Sequence, residues 1–283
     1  MKYTRLLLIV WLTVFIHCAY GQQQVLLKGI ILPNTVYKTQ MTNNMDMEVT
    51  IKGDSATMAE MDASGMKNPV GMTIKQEVLS TIRSGAAKED KRVPVTISYD
   101  KMNIHTNVGG QETTQDDNPF ANVEIRGFAD DGKMMVDTII GNLDDARKAS
   151  LRSMVNNLQG NIKFPDKPLK IGESFNQDVP LVVPMGQVQF KMNVHVTSTL
   201  KEIKGSKAIF DMKQDITLDM NMAATEASMS GSGSGTGVMT FDIEKKMMDQ
   251  TAIDMQYHLD VNMQGMTMSA KCKAKQAMKF EIQ

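Results

Sequence analysis

Long runs in which apolar and polar residues strictly alternate constrain this chain more than any other feature. Met45, Met47, Val49 and Ile51 alternate with Asp46, Glu48 and Thr50, and Val93, Val95, Ile97 and Tyr99 form a second series. In the later half Phe190, Met192, Val194 and Val196 alternate with Lys191, Asn193, His195 and Thr197, and Ile216, Leu218, Met220 and Met222 continue after a turn at Gly205-Ser206. The longest series runs Ile253, Met255, Tyr257, Leu259, Val261 and Met263, and past Gly265 the phase flips to Met266, Met268, Ala270, Cys272 and Ala274. A period of two places one residue set on a buried face and the other in water, so each run is a half-buried strand. Strands of this length with one apolar face predict a mainly β fold, a long antiparallel curved sheet or partial barrel.

One segment breaks the period. Asn142 can cap a helix whose first turn holds Asp144 and Asp145, and Gly160 can stop it. Leu151, Met154, Val155 and Leu158 then share a face, so the spacing predicts one amphipathic helix over about 142–159 that packs on a sheet. Two segments that flank it match each other. Phe128, four residues on Lys133-Met134-Met135, then Thr138, parallels Phe241, Lys246-Met247-Met248 and Thr251. This predicts a first β-half over 22–160 and a second over 161–283, with Pro165 to Pro168 at the boundary; one continuous domain is the alternative. The Ser-Gly run from Ser228 to Gly237 reads as either a Gly-weakened strand or a mobile loop, and a mobile loop leading into a strand at Val238 is the favoured expectation.

The N-terminus reads as an export signal. Lys2 and Arg5 precede an apolar run from Leu6 to Ile16, and Ala19-Tyr20-Gly21 offers a cleavage site, giving a signal peptide over 1–21. Ile16 and His17 stand where a lipoprotein signal wants small residues before Cys18. No later segment approaches the roughly 20 apolar residues of a spanning helix. The expected product is exported to the periplasm or the cell exterior, is not membrane-spanning, and carries Cys272 as its one cysteine. It therefore has no internal disulfide, and its core must hold the fold. A balance of 31 basic against 32 acidic residues argues against nucleic acid as a partner.

The remaining question is what the apolar face is for. Of 26 methionines only Met1 leaves with the signal, which takes the one tryptophan, Trp11, with it. A face rich in thioethers and poor in aromatics is adaptable, because Met fills irregular space without a fixed shape. His105, His195 and His258 fall on polar phases, far apart, and no nucleophile motif accompanies them, so the chain reads as non-enzymatic. Cys272 lies on an apolar phase and reads as a small buried hydrophobe. Lys271, Lys273, Lys275 and Lys279 form a row that suits protection of an edge strand or docking to an anionic surface. Met41, Met45 and Met47, with Met263, Met266 and Met268, offer soft ligands for Cu(I), although core filling is the simpler role.

The residues Gly235, Gly237, Phe241-Asp242 and Lys246, with the Pro168 to Ser174 segment and the export signal, resemble an uncharacterised family of exported bacterial β-sheet proteins. That resemblance implies no known activity and no cofactor. The long one-faced strands with a single helix also look like the half-barrel of periplasmic lipoprotein carriers, which implies an acyl-binding space between sheet and helix.

Two readings therefore stand beside each other. In one, a lipid or other apolar ligand lies in a Met-rich groove lined by Leu151, Met154, Val155, Leu158, Met192, Met220, Met255 and Met263. In the other, the same face is a closed core and the chain is an envelope structural module that binds another envelope protein. Cu(I) binding through the Met clusters is a lesser alternative.

Overall fold

The computed structural model describes residues 24–283 except 64, 66, 131–132, 150, 153–154, 156–163, 186–187, 223–226 and 264, with side chains left aside over 180–191 and 219–227. The expected signal peptide and its cleavage site lie outside these residues.

Alternation becomes architecture directly. The first half opens with β1 (Gln24–Val25), β2 (Val36–Lys52), β3 (Val70–Ser84), β4 (Val93–Val108), β5 (Gln111–Gln115) and β6 (Glu124–Asp130). After β7 (Lys133–Ile140) and β8 (Leu169–Lys170) come β9 (Ser174–Met185), β10 (Val188–Lys204), β11 (Lys207–Met222), β12 (Ala227–Asp242), β13 (Met247–Met263) and β14 (Met266–Ile282). Twelve of them form one antiparallel sheet in the order β7-β6-β4-β3-β2-β14-β13-β12-β11-β10-β9, with β5 also on β4. The sheet is not closed into a barrel. β1 and β8 form a separate two-stranded ladder.

The last strand pairs with the first long one. β14 runs beside β2 from Thr267 opposite Lys52 to Ile282 opposite Tyr37, so both halves of the chain share one sheet. On the apolar face this register sets Cys272 beside Met47 and Tyr257, and Ala274 beside Met45 and Met255. On the polar face it sets Lys271 between Glu48 and His258, and Lys273 opposite Asp46. Opposite charges across a ladder favour that register over a slip by one residue. The lysine row thus lies mid-sheet, which corrects the edge-strand expectation. The exposed edge at β9 instead carries Pro180 and Pro184, residues without the N–H that a new strand would need.

The Ser-Gly run is strand β12 and not a loop. Its serines face the polar side, and Gly231, Gly233, Gly235 and Gly237 face the apolar side, opposite Leu259, Tyr257, Met255 and Ile253. A Cβ on Gly233 would stand 2.4 Å from Tyr257 Cβ, and one on Gly237 would stand 2.3 Å from the Ala252 carbonyl oxygen. With no side chains there, the sheet bends toward its apolar face, and Thr251 Oγ1 on β13 reaches Met212 Sδ on β11 at 3.8 Å. Glycine at such a bend is required sterically, a constraint that looks like linker composition in sequence.

Among the described residues two helical segments are present. The expected one is helical at 145–149, 151–152 and 155. Its cap is Asp144, whose carboxylate accepts the Arg147 N–H at 2.8 Å, and not Asn142. The second, α1 (Ser55–Ala63), was not signalled because it has no apolar stripe and buries no residue.

Tight packing concentrates near one end of the long strands, in two clusters. The first joins Val93, Val95, Ile125, Met134, Val136 and Ile139 of β4, β6 and β7 with Leu151 and Val155 of the helix. The second joins Phe175, Leu200, Ala208, Phe210, Met239 and Phe241 of β9 to β12 with Val25, Leu27 and Leu169. Phe210, Phe241, Leu200 and Ile125 are fully buried, each contributing about 1.5–3 kcal/mol. Elsewhere the apolar face is half-buried, as at Met41, Met45, Met47, Met72 and Met255.

Gly233→Ala should therefore lower stability by about 1–3 kcal/mol through overpacking against Tyr257. The check is the urea midpoint, with Ser232→Ala on the opposite face unchanged as the control.

Candidate functional site

Between the two clusters the middle strands leave a gap. Ile82 of β3, Tyr37 of β2, Phe280 of β14, Met247 and Met248 of β13 and Phe241 of β12 surround an apolar cavity of about 650 Å³. This lies inside the range of about 300–1,000 Å³ typical of small-ligand sites. Its outer wall is the segment Leu26 to Ile31, with Phe164, Pro165 and Asp166 beside it.

The wall is held at several points. Val25 and Leu27 sink into the second cluster, and Ile31 packs on the first, so the segment spans both. The Ile30 N–H donates to the Lys246 carbonyl at 3.0 Å. Beyond it the Tyr37 hydroxyl accepts the Leu32 N–H at 2.6 Å, and Ser84 Oγ donates to the Leu32 carbonyl at 2.6 Å. Burial raises the Tyr37 phenol above its ordinary value, with the bonds at Leu32 and Thr35 opposing that rise. Alternation of Val25 and Leu27 inward with Leu26 and Lys28 outward explains how this stretch enters. On the inner side Phe164 stacks with Phe241 and Phe175 at centroid distances of 5.5 and 6.4 Å. Such pairs stiffen the floor of the cavity.

The β12–β13 turn that forms one rim is fixed electrostatically. Asp242 is buried, accepts the Lys245 N–H at 2.9 Å and binds Lys207 Nζ at 2.8 Å, and Lys207 also meets Asp249 at 3.1 Å. Burial pushes the Asp242 carboxyl up, but Lys207 and the Lys245 N–H outweigh it and hold the value below the ordinary carboxylate range. Lys246 completes the turn in the left-handed region, with φ of 54°.

The expected ligand residues are not brought together. Leu151 and Val155 pack inside the first cluster, so the space between helix and sheet is filled where it is described. Met154 and Leu158, and the side chain of Met220, lie outside the described residues. Met192 stands opposite Leu218, Met255 opposite Gly235 and Ala274, and Met263 is exposed at the far hairpin. The cavity lining includes none of these. Sequence reasoning missed Leu26 to Ile31, Phe164 and Phe280 as site residues. The one signal that touched the site was the paired Lys-Met-Met motif, since Lys133, Lys246, Met247 and Met248 all line it. Both motif copies sit on antiparallel hairpins with the same cross-strand pair, Phe128 opposite Met135 and Phe241 opposite Met248, in different surroundings. Phe128 lies beneath Arg92, whose guanidinium is 4.5 Å from its ring, whereas Phe241 is core.

Other chemistry-bearing groups are dispersed on the polar face. His105 pairs with Thr114 at 2.9 Å, His195 with Asp178 at 2.7 Å and His258 with Asp260 at 2.9 Å, on β4, β10 and β13. A broader, open concavity of about 1550 Å³ at the far end is lined by Asp46, Glu48, Lys271, Lys273, His258 and neighbours. Lys271 and Lys273 there face Glu48 and Asp46 across the β14–β2 ladder, and Met47, Met72, Tyr257 and Cys272 line the same concavity. Cys272 is buried beside Tyr257, whose hydroxyl burial pushes up to about 12 and whose proton goes to Met45 Sδ at 3.3 Å. Met41 Sδ accepts from Gln276 Nε2 at 3.8 Å. The β2 thioethers are thus engaged within the sheet, while Met263 and Met266 lie past the end of the β2 ladder.

No family model matches the chain, and no curated protein matches it. Among solved structures it is similar to an outer membrane channel from Pseudomonas putida F1, at TM-score 0.29 and 7% identity over 90% of this chain and 98% of that one. It is also similar to OccK7 of Pseudomonas aeruginosa, at TM-score 0.25 and 2% identity over 88% and 99%. OpdQ of the same organism follows at 0.22 and 6%, over 88% and 98%. Similarity at this level carries neither function nor membrane insertion. Among the described residues no helix is long and apolar enough to cross a membrane.

Asp242→Asn keeps the turn's acceptor but removes the charge, and should cost about 1–3 kcal/mol at pH 7. A depressed folded value stabilises above the ordinary carboxylate value of about 3.9 and loses that contribution as pH falls through the depressed value. The deficit of the variant should therefore shrink below that point in acid denaturation curves.

Proposed function

We propose that this protein is an exported, non-enzymatic binding protein that holds an apolar small molecule in the cavity between its two core clusters. The observation that carries the reading is the cavity itself. Its walls are Leu27, Ile31, Ile82, Phe241, Met248 and Phe280, and both sides are already supported by packed core, so the space persists without a ligand to prop it open.

Physical chemistry favours an apolar occupant. Water against the apolar walls finds its polar partners only at the rim, so displacing it from those walls by hydrocarbon is favourable at about 25 cal/mol per Å². Met247 and Met248 let the walls adapt to ligands of varied outline. Entry is through the wall segment, where Leu26 is half exposed and borders the cavity. The site proposed here lies under residues 26–31 and not in the expected groove under the helix. Export, inferred from the leader, puts this site where lipids and their breakdown products are met.

The neutral fluorophore N-phenyl-1-naphthylamine should bind the purified protein saturably, at about one site and micromolar affinity. Leu26→Trp, which adds bulk at the mouth with little change to the core, should weaken that binding about tenfold. Absence of saturable binding, or full binding by the variant, would overturn the proposal.

A further inference from the structure

Three candidates stand out beyond the cavity's apolar walls. One is the amide row Gln76, Asn43 and Gln276, side by side across β3, β2 and β14 on the apolar face. Another is the sulfur group of Cys272, Met45 and Met47. The third, which the observations carry furthest, is the charge at the cavity rim.

Resting on the cavity reading, we infer that the ligand is a single-chain amphiphile with an anionic headgroup, held by Lys133 and Lys246. These lysines come from distant parts of the chain. Lys133 opens β7 at one end of the sheet order, and Lys246 closes the turn between β13 and β12, with β6, β4, β3, β2 and β14 lying between. The curvature of the sheet nevertheless brings both to the lining of one apolar cavity. Lys28 and one carboxylate, that of Asp166, line it as well. Both Lys133 and Lys246 are exposed residues, and the ion pairs among the described residues leave both out.

The turn that carries Lys246 is built at a cost. A non-glycine residue with φ of 54° is disfavoured, and the buried Asp242 with its lysine partner holds the turn in place. The carbonyl of Lys246 is also tied to the wall segment through Ile30. Lys246 therefore joins the rim to the wall. Apolar walls below and unpaired ammonium groups above match a hydrocarbon chain that ends in a carboxylate or a phosphate. A cationic or neutral headgroup would leave the positive rim uncompensated.

The experiment compares three ligands with one chain length, hexadecanoate, hexadecyl phosphate and hexadecanol, as competitors of the neutral fluorophore at low salt. Wild-type protein should prefer at least one anion over the alcohol by about tenfold. Which anion wins separates a free fatty acid from a phosphate-bearing lipid. In Lys133→Gln/Lys246→Gln the preference, read as the ratio of anion to alcohol affinity within that variant, should fall below about threefold. Equal affinity for anion and alcohol in the wild type, or a preference that survives the double substitution, overturns the inference and leaves the cavity reading standing. Failure of all ligands and of the fluorophore overturns both.

Discussion

Everything in this molecule depends on the ladder between β14 and β2. Each half of the chain is a meander that, alone, would leave long strand edges and an apolar face open. Pairing the last strand with the first removes two of those edges and makes one sheet wide enough to curve. The ladder's register is set twice, by Cys272 against Met47 on one face and by Lys271 and Lys273 against Glu48 and Asp46 on the other. A slip by one residue would turn every methionine of β2 into water, so the register is strongly specified.

The glycines of β12 then turn a wide sheet into a curved one. Bending toward the apolar face draws β9 to β12 and β4 to β7 toward each other near one end, where each set buries its own cluster. The wall segment 25–31, anchored by β1 on β8, reaches across both. The cavity is what remains between two cores that do not merge, and it is a consequence of curvature and not of any single motif.

Much of the fold was legible because period-two alternation is local. The strands at Met45, Val93, Ile216 and Ile253, the turns at Gly205 and Gly265 and the helix near Leu151 follow from it. The Ser-Gly strand was misread because local composition cannot distinguish a flexible tether from a strand whose inner face must be empty. That distinction belongs to Tyr257 and Leu259 on the neighbouring strand. The lysine row was misplaced for a similar reason: whether β14 is an edge depends on β2, some 230 residues away. The site was least legible. Its lining comes from β2, β3, β7, β12, β13 and β14 together with the wall and the Phe164 stretch, and long-range assembly leaves no trace in spacing. Only the paired Lys-Met-Met motif pointed there.

The most direct test of the central claim is a crystal structure of the protein with a terminally brominated sixteen-carbon fatty acid, with the bromine located by its anomalous signal. The account predicts a single strong bromine peak among Ile82, Phe241 and Phe280, inside the wall formed by Leu26 to Ile31. A peak on the Met-rich face near Met45 and Met255, or on the polar face, would contradict it.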